Sequence, residues 1–176
     1  MHVKAKKMAF GGLLLALCVI CMALGSVIET STLFLLALAS FFVGIVIREA
    51  GLKSGAAFYF AAVLLGFMLA PNKFYVISFA AMGLYILLIE FFYQQIGRMD
   101  SRLHRKGIFW VVKYLIFNIM FIPILIFFQD MISGKDSSWY LFAAIAAAGQ
   151  AGLFMYDRAY EYFHVHVWNK MRVHLL

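Results

Sequence analysis

The stretch MAFGGLLLALCVICMALGSVI, residues 8–28, carries no charged side chain. A helix over these residues rises about 31 Å at 1.5 Å per residue, which matches the roughly 30 Å hydrocarbon layer of a bilayer. The same character extends through the chain, in which 65% of the 176 residues are hydrophobic and 13% are charged. A soluble core of this size could not bury so much apolar surface. Lipid is therefore the expected solvent for much of the protein.

Five further apolar stretches predict an all-α bundle of six transmembrane helices. The predicted spans are residues 8–28, 33–47, 56–70, 74–93, 108–128 and 139–156. The second and third cover only about 22 Å, so they are expected to be short, tilted, or extended by charged side chains that reach outward. Pro71 ends the third span, and segment 29–32 offers N-cap residue types for the second. The predicted organisation is a membrane domain, 1–156, followed by an amphipathic cytoplasmic tail, 157–176.

The basic residues are distributed asymmetrically about these spans. In the six-span arrangement, twelve of the fifteen Lys and Arg residues lie on one side of the membrane, and only Lys73 and Lys135 lie on the other. Basic loops stay in the cytoplasm, so both termini are predicted to be inside. The net charge of +7 then indicates anionic lipid headgroups, because no basic patch is long enough to follow a nucleic-acid backbone. A cleavable signal peptide is an alternative for the first span, although the apolar run is long for one.

Small residues recur on one face of the first helix. Ala5, Ala9, Gly12 and Ala16 follow one another at spacings of three or four residues. Such faces let helix backbones approach closely, which is a main source of helix association in lipid. This face is therefore either part of the packing within the bundle or a docking surface for another protein.

Two ionisable side chains, Glu90 and Lys113, lie within predicted spans. They have similar depth on sequential, antiparallel helices, so the sequence predicts an intramembrane ion pair between them. A charge at membrane depth is costly without a partner. A structural pair or snorkelling is favoured over a proton or ion relay.

Polar side chains in the outer half of the spans predict a ligand pocket open to the outside. Asn118 and Pro123 are close on the fifth helix, where a kink and an amide can line a polar cavity. The candidate substrate-binding residues are Glu29, Asn72, Tyr75, Asn118, Gln129, Trp139 and Gln150. Interhelical hydrogen bonds and an aromatic belt are the alternative interpretations of these residues.

No motif for catalysis or for metal or cofactor binding is found, so the sequence predicts neither an enzyme nor a metalloprotein. Cys18 and Cys21 share a helix face but provide too few ligands for a closed metal site. His164 and His166 are two residues apart, which on a helix turns their side chains about 200° from each other. Nucleophile elbows, zincin motifs and phosphate-binding loops are absent from the sequence.

Residues 6–17, KKMAFGGLLLAL, together with six short spans and inside termini, resemble the substrate-binding S components of energy-coupling-factor transporters. In that family, a small-residue face on the first helix docks a transmembrane T component, and two cytoplasmic ATPases drive import. The resemblance implies a bacterial cytoplasmic-membrane protein that binds a vitamin-like small molecule, with Ala5, Ala9, Gly12 and Ala16 as its docking face.

The chain also departs from that family. Its first outer loop, 29–32, is very short, whereas many S components cover substrate with this loop, and no vitamin-specific signature is found. Six-span proteins of bacterial cell-shape machinery share the fold without known transport, so a non-transporting membrane scaffold is the alternative function.

Overall fold

The computed structural model describes residues 2–97, 102–127 and 139–170, and it confirms the prediction of an all-α protein. The helices are α1 (His2–Val27), α2 (Thr32–Ala50), α3 (Leu52–Leu69), α4 (Lys73–Ile96), α5 (Arg102–Phe127) and α6 (Trp139–Tyr162). A 3₁₀ turn, Glu29–Ser31, precedes α2, and a π-helical segment, Phe163–Trp168, continues α6.

Among the described residues, five stretches are long and apolar enough to cross a bilayer, which indicates a multi-pass membrane protein. They are Met8–Val27, Thr32–Ala50, Leu52–Leu69, Lys73–Ile96 and Gly107–Ile126. Of the alternatives for the second and third spans, extension fits the helix lengths, since α2 has 19 residues and includes Arg48, and α3 has 18 and includes Lys53. At 1.5 Å per residue they rise about 28 and 27 Å. Both helices continue through the charged residues near their junction, including Arg48, whose side chain has an ionic partner described below.

The chain divides into two compact units, residues 1–105 and 106–176. In the first unit α2 contacts α1, α3 and α4. Residues 41–47 of α2 are all buried, as expected of a helix surrounded on every side. Large side chains that fill this interior include Met22, Leu36, Phe79 and Ile86.

A single residue, Gly51, connects α2 to α3. Its φ of 89° and ψ of 165° lie in a region that is essentially restricted to glycine. The Gly51 N–H donates to the Ile47 carbonyl at 2.9 Å, and the Gly51 carbonyl accepts from the Gly55 N–H at 3.0 Å. The helices also lie close together beside this turn, because a Cβ on Gly55 would overlap Ile47.

We expect Gly51→Ala to destabilise the protein by about 1–3 kcal/mol, because alanine cannot adopt this backbone conformation without strain. Unfolding by sodium dodecyl sulfate (SDS) in mixed micelles measures the change. Gly107→Ala is the matched control, since nothing lies within 4 Å of a Cβ placed on that helical glycine. Equal loss of stability in the two variants would contradict a role for the Gly51 backbone.

The ends of the helices are held by side chains with specific partners. Thr32 was predicted among the N-cap residues of α2, but its hydroxyl instead donates to the Gly25 carbonyl at 2.8 Å and the Ile28 carbonyl at 3.1 Å. It therefore ties the start of α2 to the end of α1. The predicted break at Pro71 is confirmed. Beyond it, Asn72 caps α4, with its side-chain oxygen 3.0 Å from the Phe74 nitrogen.

The second unit contains most of α5 together with α6. A Cβ on Gly149 would overlap the Phe121 ring, so glycine leaves room for this ring of α5 against α6. Helix α6 continues beyond Tyr156, the last residue before the predicted tail, to Tyr162. The π-helical segment then follows. His164 of that segment is buried, whereas His166 is exposed.

Candidate functional site

A buried cluster of charged side chains links α5 to α6. The ammonium of Lys113 donates to an Asp157 carboxylate oxygen at 2.8 Å and to Glu161 Oε1 at 3.0 Å. The second Asp157 oxygen is also 2.8 Å from the ammonium. The side chains of Lys113 and Asp157 are only 3% and 2% exposed.

Aromatic rings complete the surroundings of the ammonium. Lys113 Nζ lies 4.5 Å from the centre of the Phe109 ring and 5.2 Å from that of Trp110. Taking these charges out of water costs several kcal/mol, which close pairing offsets only with good geometry. Two carboxylates and two aromatic rings therefore surround the amino group of Lys113.

The other predicted intramembrane charge, Glu90 of α4, has its partner within the first unit. Arg48 Nε of α2 donates to Glu90 Oε1 at 2.8 Å. The Glu90 side chain is 3% exposed and that of Arg48 is 41% exposed. Glu90 and Lys113 therefore each have an oppositely charged partner on a helix of their own unit, and a Glu90–Lys113 pair stays a prediction.

Two of the predicted substrate-binding residues, Asn118 and Gln150, are hydrogen-bonded to each other. Gln150 Nε2 donates to Asn118 Oδ1 at 2.7 Å, and Asn118 Nδ2 donates to the Tyr114 carbonyl at 2.8 Å. Gln150 Oε1 is buried and accepts no hydrogen bond from any residue that the structure describes. The chain of amides therefore ends in an acceptor that a ligand or water N–H or O–H could satisfy.

The remaining candidates for substrate binding lie in different parts of the sequence and have different local roles. Asn72 is exposed and caps α4, and Tyr75 in the first turn of α4 is half-buried. Glu29 lies in the 3₁₀ turn and Trp139 is the first residue of α6. Gln129 lies outside the described residues.

The predicted docking face on α1 is directed away from the rest of its unit. Ala9, Gly12 and Ala16 are exposed, and nothing described outside α1 lies within 4 Å of a Cβ placed on Gly12. The opposite face is buried, and Cys18 there donates a hydrogen bond of 3.5 Å to the Ala39 carbonyl of α2. Ala5 also belongs to α1.

The sequence interpretation missed three charged partners: Arg48, Asp157 and Glu161. Arg48 was treated as a basic residue of a connection, and the two acids were assigned to the tail. The spacing of Asp157 and Glu161 could have indicated a shared partner, because residues four apart lie on the same helix face. A longer sixth helix would have placed that face opposite Lys113.

Comparison of this chain with protein-family models, with curated proteins and with solved structures finds no match.

Proposed function

We propose that this chain is the substrate-binding membrane subunit of an importer of the energy-coupling-factor type, specific for a vitamin-like small molecule. In this proposal it lies in a bacterial cytoplasmic membrane with six spans and both termini inside, as the distribution of basic residues favours. Helix α6 supplies the sixth span. A transmembrane T-like subunit and cytoplasmic ATPases are its partners.

The observation that carries the proposal is the exposed small-residue face of α1. Ala9, Gly12 and Ala16 contribute little to packing within the first unit, because the buried side of α1 is the opposite one. In lipid, a small-residue face gains stability only when another helix lies close against it. A transmembrane partner helix therefore fits this face.

The Asn118–Gln150 pair supports the second half of the proposal, the binding of a small molecule. A buried amide oxygen without a donor costs free energy at membrane depth, and a bound molecule with an N–H or O–H group would recover it. The stacked rings of Phe117 and Phe121, with centres 4.9 Å apart, add an aromatic surface on the same helix.

One observation favours the alternative, a membrane scaffold without transport. The interior of the first unit is filled by large side chains such as Met22, Leu36 and Phe79, so α1 to α4 form a packed core. A scaffold would use the same α1 face for a structural partner and would carry no ligand.

Native mass spectrometry of the tagged full chain, purified gently from its source cell, tests the proposal. We expect a bound metabolite together with a T-like subunit and two ATPases. Gly12→Leu should release these proteins, because leucine blocks close helix approach. Gly152→Leu is the matched control, since a Cβ on this exposed α6 glycine also meets nothing within 4 Å.

The outcomes separate the two functions. A chain that carries no metabolite and retains only structural proteins supports the scaffold. Loss of the partners from both glycine variants alike would contradict docking through α1.

A further inference from the structure

A shallow groove of about 500 Å³ follows the C-terminal part of α6 and the π-helical segment. It is lined by Arg158, Ala159, Glu161, Tyr162, Val165 and His166. The apolar run from 139 to 156 precedes it and rises about 27 Å, which is close to the thickness of the hydrocarbon layer. When that run crosses a bilayer, the groove lies at the level of the lipid headgroups.

The guanidinium of Arg158 lies beside an aromatic ring, and most of its donors are not used by any residue that the structure describes. It lies 5.5 Å from the centre of the Phe154 ring, and its side chain is 61% exposed. Its nearest described carboxylate oxygen, Glu161 Oε2, is 3.9 Å from Nη1, which is longer than a hydrogen bond. The other oxygen of Glu161 is already bonded to Lys113.

His166 supplies a second hydrogen-bonding group to the same groove. Its ring stacks on that of Tyr162, with centres 4.3 Å apart and planes at 17°. This stacking holds the imidazole on the exposed side of the helix, within the groove that Arg158 lines. An oxyanion between the two would receive hydrogen bonds from the planar guanidinium and from a ring N–H.

The negative charges of the acidic residues near the groove are balanced by neighbouring basic residues. Asp157 and Glu161 are in contact with Lys113, and Arg158 lies nearby, so these four side chains carry no net charge. An anion that approaches the groove therefore meets the exposed guanidinium without a net opposing charge.

The rim of the groove is apolar, and this distinguishes a lipid from a free anion. Tyr162 and Val165 line the groove, Met155 precedes it on α6, and all three side chains are largely exposed. Apolar side chains beside an anion site favour an amphipathic ligand, because a phospholipid can cover them with its glycerol and acyl chains and inorganic phosphate cannot.

We propose that this groove binds the phosphodiester of an anionic glycerophospholipid. Arg158 and His166 donate hydrogen bonds to the phosphate oxygens, and Met155, Tyr162 and Val165 lie against the glycerol backbone and acyl chains. The site anchors the end of α6 to the headgroup layer, and it depends on no transported substrate.

The test is native mass spectrometry of the purified full chain, delipidated in mild detergent and titrated with phosphatidylglycerol or with phosphatidylcholine of the same acyl chains. We expect the wild type to retain phosphatidylglycerol preferentially. One basic side chain near a membrane surface corresponds to about a fivefold change in binding. Arg158→Gln/His166→Gln should therefore weaken phosphatidylglycerol binding about fivefold to tenfold, and Arg158→Lys should weaken it less.

Lys53→Gln is the control for general surface charge, because it removes one exposed positive charge from α3, outside the groove, and should weaken phosphatidylglycerol binding less than Arg158→Gln/His166→Gln does. The proposal is overturned if the wild type retains both lipids equally, or if the double variant, helical by circular dichroism, binds phosphatidylglycerol as the wild type does. Displacement of the lipid by an equal concentration of inorganic phosphate would overturn the lipid assignment and indicate a free-phosphate site. None of these outcomes bears on import.

Discussion

Lys113→Met is expected to lower the free energy of unfolding by about 3–5 kcal/mol, the usual cost of removing one member of a buried ion pair. Methionine keeps most of the volume of lysine but removes the cation that Asp157 and Glu161 contact at 2.8 and 3.0 Å. The Asp157 carboxylate, 2% exposed, would then have to be buried without its ammonium partner. Unfolding by SDS in mixed micelles measures the loss.

A double variant shows whether the loss comes from the unpaired charge. Lys113→Met/Asp157→Leu removes both members of the pair, and replacement of a buried pair by apolar residues is often neutral or stabilising. We therefore expect the double variant to be more stable than Lys113→Met alone. If the two have the same stability, the loss in Lys113→Met does not come from an unpaired Asp157 carboxylate.

Arg48→Ala is expected to have the second largest effect, a loss of about 3 kcal/mol. It removes the guanidinium that donates to the buried Glu90 carboxylate at 2.8 Å. The opposite change, Glu90→Gln, should cost about 1 kcal/mol, because Arg48 is 41% exposed and can be hydrated where it stands.

The difference between these two variants is the diagnostic measurement. Both remove one charge from the same pair, so a simple count of ion pairs predicts equal losses. Burial of Glu90 predicts that Arg48→Ala is clearly the worse of the two. Arg48→Lys, which keeps the charge but not the planar donor geometry, should lie between wild type and Arg48→Ala.

Within the described residues, the order of the helices could be predicted from the sequence, because apolar runs and their breaks are local features. Pro71 marks the end of α3 without reference to any other helix. The lengths of α2 and α3 could not be predicted in this way. Their ends contain Arg48 and Lys53. Arg48 donates a hydrogen bond to Glu90, which is 42 residues further along the chain, so a distant contact stabilises this end of α2.

The candidate site shows the same contrast between local and distant information. The depth of Asn118 and Gln150 in their spans was sufficient to associate them, and the structure places them 2.7 Å apart. For Lys113 and Glu90, depth alone did not identify Asp157 and Arg48, the partners that the structure describes. The choice between partners depends on which helices are neighbours, and a pattern of hydropathy does not contain that information.

The one-residue connection at Gly51 has a practical consequence for mapping the topology of the chain. Epitope tags, reporter fusions and proteolytic cuts are tolerated at exposed loop tips. Between α2 and α3 there is no such loop, and the Gly51 backbone is already hydrogen-bonded on both sides. These two helices therefore behave as one covalent hairpin in any fragment-complementation experiment, and reporters for sidedness belong at the other connections.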